Sequence, residues 1–207
     1  MNVTGNLTPG GNRGRTYPAE PLSQVEVQQL MDGMNRGATG VRNRALVAVL
    51  YRSGLRVSEA LALRVKDIDR DARSIRVLRG KGGKARVVGI DDGGLRYLER
   101  WLEARGKLEL PASAPVFCKL DGGEWDPSAV RRMLSRAGEA AGLGKRVHPH
   151  GLRHSMAAEL AREGVPATLI QRQLGHGSLG TTNTYLQSIA PAEVIEAMGN
   201  REWSVAA

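Results

Sequence analysis

A chain of 207 residues, 41% hydrophobic and 25% charged, is long enough to bury a core and too apolar for disorder. It therefore reads as one domain, with room for a small appendage. The single cysteine, Cys118, excludes an internal disulfide framework and any multi-cysteine zinc site, and it fits a reducing compartment. Thirty lysines and arginines against 21 acidic residues give a net charge of +9, a surplus that suits a polyanionic partner such as nucleic acid.

Residues 1–16 read as a flexible tail in which Arg13 and Arg15 are the charged groups. Ser23 and Glu26 stand at capping-box spacing and open a helix through Val27 and Leu30 to Met34. A second helix is expected from Arg42 to Tyr51. Its run Ala45 to Leu50 is apolar on most faces, which places it at the centre of the core. Gly54 ends that helix, and Val57 to Leu63 forms a short third one.

The period then changes. Ile75 and Val77, then Val87, Val88 and Ile90, flank Gly80-Lys-Gly-Gly83, the pattern of two strands joined by a glycine-rich turn. A helix follows over Asp92 to Ala104, and Val116-Phe-Cys118 is expected as a third short strand. Asp126 and Pro127 supply an N-cap and a first-turn proline for a helix to Ala140. Three more helices are expected near 151–163, 166–174 and 180–188, and then an amphipathic piece with Val194, Ile195 and Met198. The expected fold class is α+β, mostly α-helical, with a small antiparallel three-stranded sheet.

No apolar run approaches the roughly 18 to 20 residues that span a bilayer, and Met1 to Arg15 lacks the apolar stretch of a signal peptide. A soluble, cytoplasmic protein without membrane contact is expected. Aromatic residues make up only 4% of the chain. Platforms for single-stranded bases need aromatic faces, so double-stranded DNA is the better polyanion.

The chemistry-bearing residues cluster. His150 and Arg153 are one helical turn apart, a spacing that suits anion binding, because arginine meets phosphate oxygens in a fork while histidine donates or moves a proton. Arg56 follows Gly54-Leu55 at a helix start, with Glu59 one turn on, placed either to fix its side chain or to form a surface pair worth little. Lys81 lies in the glycine-rich turn, and His176 and Tyr185 stand nine residues apart. His148, His150 and His154 also have a spacing seen in metal sites, although no neighbouring Asp or Cys completes a ligand set.

Five segments carry a resemblance in their order. They are Ser53-Gly-Leu-Arg-Val-Ser-Glu-Ala60, Gly80-Lys-Gly-Gly-Lys84, His148-Pro-His-Gly-Leu-Arg-His154, Leu174-Gly-His176 and Thr182-Asn-Thr-Tyr185. Together they resemble the catalytic domain of the tyrosine recombinases of Xer and phage-integrase type, over about Leu22 to Met198. The resemblance implies that Arg56 and Arg153 grip a scissile phosphate, with His150 and His176 beside them. It implies that Lys81 protonates the leaving 5′-hydroxyl, with Lys84 as the alternative if the hairpin register differs. Tyr185 is then the nucleophile of a 3′-phosphotyrosyl intermediate.

The resemblance further implies a reaction without metal, ATP or other cofactor, and partners in double-stranded DNA, further copies of the chain (often four) and an accessory protein. A DNA-binding regulator with idle chemistry and a topoisomerase-like relaxation of supercoils are the alternatives. Residues 17–207 correspond to the catalytic domain. The additional N-terminal helical domain that most members carry, which closes over the other face of the duplex, is expected to be absent.

Overall fold

A computed structural model describes residues 20–78 and 85–175 together with Gly199. Among the described residues of 20–175 the chain forms seven α-helices and three strands in the order α1 (Gln24–Asp32), α2 (Ala38–Arg52), α3 (Val57–Ala62), β1 (Ile68–Asp69), β2 (Ser74–Val77), β3 (Arg86–Gly89), α4 (Asp92–Gly106), α5 (Pro127–Ala140), α6 (Pro149–Arg162) and α7 (Ala167–Leu174). The expected tail, the Gly80–Gly83 turn, the helix near 180–188 and the piece around Val194, Ile195 and Met198 lie outside the described residues.

Local chemistry sets the helix starts. The Ser23 hydroxyl accepts the Glu26 N–H, and the Glu26 carboxylate accepts the Ser23 N–H in return, which completes the capping box of α1. Asp91 caps α4 by accepting the N–H of Gly94 at 2.7 Å, and Asp126 caps α5 by accepting that of Ala129 at 3.0 Å. Helix α6 begins two residues earlier than its periodicity suggests. Pro149 occupies its first turn, and the His148 ring accepts the Gly151 N–H.

Helix α2 is the axis of the domain. Ala45 to Leu50 are buried along consecutive positions, so every face of this stretch meets protein. It packs against α4, which contributes Leu95, Leu98 and Trp101, and against α6, which contributes Leu152, Met156 and Ala157. Each fully buried leucine contributes about 2 kcal/mol before conformational costs. The helix stops at Arg52, and Gly54 turns the chain at φ +65. A side chain there would be strained and would press on Leu174 and Met156.

The sheet is antiparallel in the order β1-β2-β3, with Ile68 opposite Ile75, Ile75 opposite Val88 and Val77 opposite Arg86. Its third strand is Ile68–Asp69, not the expected Val116–Cys118. The latter segment is fully buried, as its apolar run suggests, but it pairs in no ladder. Its polar groups find other partners. Val116 donates to the Leu63 carbonyl, the Trp101 indole donates to the Val116 carbonyl, and Arg42 donates to the Cys118 carbonyl. Burial satisfied from three directions leaves no need for a strand neighbour.

Candidate active site

Three of the six residues singled out from sequence lie in the described part of the chain: Arg56, His150 and Arg153. Lys81, His176 and Tyr185, with the alternative Lys84, lie outside it. The described residues converge where the turn after α2, the start of α6 and the end of α7 meet.

Arg56 is the residue before α3, held extended at φ −70 and ψ 150 just after the fully buried Leu55. Its backbone N–H donates to Glu59 Oε2 at 2.9 Å and its guanidinium to Glu59 Oε1 at 2.8 Å. The same guanidinium reaches the Gly175 carbonyl at 3.4 Å. Its side chain keeps 29% of its surface, whereas that of Glu59 keeps 2%. The expected pairing of Arg56 with Glu59 is therefore present, and the exposed member of the pair is the cation.

Arg153 points the other way. It is 1% exposed, and its guanidinium donates to the carbonyl oxygens of Gly54 and, at 2.6 Å, of Leu174. The last carbonyls of a helix lack partners within the helix and favour a cation. Arg153 thus binds the end of α7 to the turn that presents Arg56. Both arginines meet the short stretch Leu174-Gly175, which leads directly to His176.

His150 sits in the first turn of α6 with an exposed face and its remaining surface packed into protein. Its ring meets that of His154 edge-on, with centroids 4.5 Å apart, and lies stacked 6.5 Å from that of His148. Partial burial, then repulsion from Arg153, from His148 whenever that ring is protonated, and from Arg56, hold its imidazole below the ordinary value. It is neutral at pH 7 and able to take up a proton. His148 is neutral for related reasons, partial burial first and Arg146 second, and its Nδ1 is the helix cap. Among the described residues no group of three or more His, Cys, Asp or Glu side chains is arranged to hold a metal ion.

One residue of the site had no sequence signal. Arg86, the first residue of β3, forms a two-pronged ion pair with Glu59 at 2.8 and 2.9 Å. Burial alone would raise the Glu59 carboxyl. Arg86, the Arg56 N–H and the Arg56 guanidinium outweigh it and hold the pKa down at about 2. An arginine at the head of an exposed strand reads as solvated, and no spacing rule connects it to a carboxylate 27 residues away. The local charge is two guanidiniums against one carboxylate, with Arg153 adjoining. Such a surface can attract an anion and stabilise negative charge that develops on it.

No described helix is long and apolar enough to cross a membrane. Residues 20–190 match the profile of the phage integrase family. The chain is 38% identical over 173 residues to the tyrosine recombinase XerD of Mycobacterium tuberculosis, an alignment that covers 79% of this chain and 55% of that protein. The chain spans about half the length of the curated relatives it matches. Among solved structures, the XerA recombinase superposes with a TM-score of 0.79 at 29% identity, covering 91% of this chain and 68% of that one. The XerH site-specific recombinase, bound to a palindromic difH substrate in a post-cleavage complex, superposes with a TM-score of 0.72 at 28% identity, covering 88% and 53%.

Proposed function

The chain belongs to the phage integrase family of tyrosine recombinases, and on that premise we propose that it is a site-specific recombinase. In this reading it cleaves and rejoins duplex DNA through a 3′-phosphotyrosyl intermediate on Tyr185. The observation that carries the reading is the convergence of Arg56 and Arg153 on Leu174-Gly175, which delivers positive charge to the point where the chain runs on to His176.

The Tyr185 oxygen attacks the scissile phosphorus, and a bond to the 3′-phosphate forms as the bond to the 5′-oxygen breaks. Lys81 gives that oxygen its proton. An incoming 5′-hydroxyl reverses the step on the same or a different strand. Each phosphoester broken is matched by one formed, so the cycle needs no ATP, and in this reading the arginines rather than a metal neutralise the phosphate.

A tyrosine with its ordinary pKa of about 10 is a weak nucleophile at neutral pH. Arg56, the exposed cation, neutralises the phosphate directly, and Arg153, buried behind it, adds its charge at longer range, so that the two together favour the tyrosinate. One such donor is worth on the order of 3 kcal/mol in the transition state, about a hundredfold in rate. His150, kept neutral, accepts or relays the tyrosine proton, and His176 adds a further donor. The partners are double-stranded DNA, further copies of the chain assembled on it (four in the family arrangement) and an accessory protein, all within the cytoplasm.

The test is capture of covalent protein–DNA adducts after an SDS quench, using fragmented genomic DNA and Tyr185→Phe in parallel. Adducts confined to one sequence and lost in Tyr185→Phe are expected. Adducts spread evenly would instead mean supercoil relaxation. DNA binding without adducts would mean a regulator with idle chemistry.

A further inference from the structure

Arg86 occupies the last rung of the β2–β3 pairing, opposite Val77 and just after the segment that contains Lys81. Its side chain leaves the sheet to meet Glu59 with both terminal nitrogens, and only 14% of it stays exposed. Glu59 Oε1 accepts from the Arg56 and Arg86 guanidiniums, and Oε2 from the Arg56 N–H and Arg86. A carboxylate has about four lone-pair sites, so this one is saturated.

The guanidinium also lies close against the end of α7. A Cβ on Gly175 would fall 2.6 Å from Arg86 Nε and 2.9 Å from its Cζ. Gly175 is at φ +64, so glycine is needed there both for the backbone and for the approach of Arg86. Among the described residues the buried Arg86 Nε has no hydrogen-bond partner. Such a donor is costly to leave unmade, and its placement therefore follows from the demands of Glu59 and Gly175.

We propose that Arg86 is a positioning residue that acts through Glu59, neutralising this carboxylate so that the charge of Arg56 remains available to an anion, and that it locks the start of α3, the head of β3 and the end of α7 into one unit. The proposal rests on the recombinase reading above. Glu59 paired with Arg56 alone would neutralise the exposed guanidinium and draw it inward. With Arg86 supplying the second cation, the cluster keeps a net positive charge, and Arg56 is its exposed member. Lysine cannot replace the fork, because a point charge meets only one oxygen well.

The test is single-turnover adduct formation on the duplex recovered by adduct capture. Arg86→Gln is expected to slow adduct formation by about tenfold or more while duplex affinity changes by less than about threefold. Arg86→Lys restores part of the rate. In a Glu59→Gln background, where no carboxylate needs neutralising, Arg86→Gln is expected to cost less than about threefold. An equal loss in both backgrounds, or no loss in the parent, overturns the proposal. A second measurement is independent of cleavage. The Arg56 guanidinium N–H signals are expected to shift in Arg86→Gln, as Glu59 draws that side chain inward, and unchanged signals overturn the proposal. A parent that forms no adducts counts against the recombinase reading, and the Arg56 signals then decide the role of Arg86.

Discussion

Arg153, buried beneath the site, donates to the carbonyl oxygen of Leu174 at 2.6 Å and so joins the start of α6 to the last turn of α7. A second bond to the Gly54 carbonyl extends the joint to the turn before Arg56.

Arg153→Ala removes a buried cation and leaves two carbonyl groups without this donor. A stability loss on the order of 3 kcal/mol is expected, measured from urea unfolding midpoints. Arg153→Lys keeps the charge but loses the fork, and it is expected to fall between the two. If alanine at this position left the midpoint unchanged, the joint would contribute nothing to the fold.

Glu59 makes stability depend on acid. Its carboxyl is held at about 2 in the folded protein against an ordinary 4.5. The unfolded chain therefore takes up this proton first as pH falls. The contribution is complete above about pH 4.5, drains away as pH falls towards 2, and amounts to about 3 kcal/mol in total. Glu59→Gln is expected to be less stable than the parent at pH 7, with the gap narrowing by pH 3. Urea midpoints across that range, compared between the two proteins, check it.

His148 works in a different window. Its Nδ1 accepts the Gly151 N–H, and burial with Arg146 nearby lowers its pKa below the ordinary 6.5. Below that value the unfolded chain binds a proton that the folded one resists, so stability falls with pH. His148→Asn keeps a capping oxygen and removes the titration. It is expected to match the parent near pH 8 and to melt higher near pH 5.5. His148→Ala is expected to lose about 1 kcal/mol at pH 8 through the missing cap. Thermal melts at the two pH values separate these outcomes.

Local chemistry was legible in the sequence wherever donor and acceptor lie within one turn. The capping box of Ser23 with Glu26, the Asp126 cap before Pro127 and the Arg56–Glu59 pair all have i,i+3 geometry. The central place of α2 followed from its unbroken apolar run. Long-range partners carried no such signal. Val116 to Cys118 is apolar enough for a strand, but Leu63, Trp101 and Arg42 take its polar groups. The true third strand, Ile68–Asp69, is only two residues long and is defined by pairing with Ile75 and Ser74 rather than by its own composition. Arg86 was missed because its role exists only once the hairpin folds onto α3.

The burial of α2 also sets a clock. Amide protons between Ala45 and Leu50 are expected to exchange only when the whole domain opens, because every face of that stretch is covered. The turn that presents Arg56 hangs from the end of this buried helix. On the microsecond-to-millisecond scale of loop and hinge rearrangements, the mount of Arg56 is stationary.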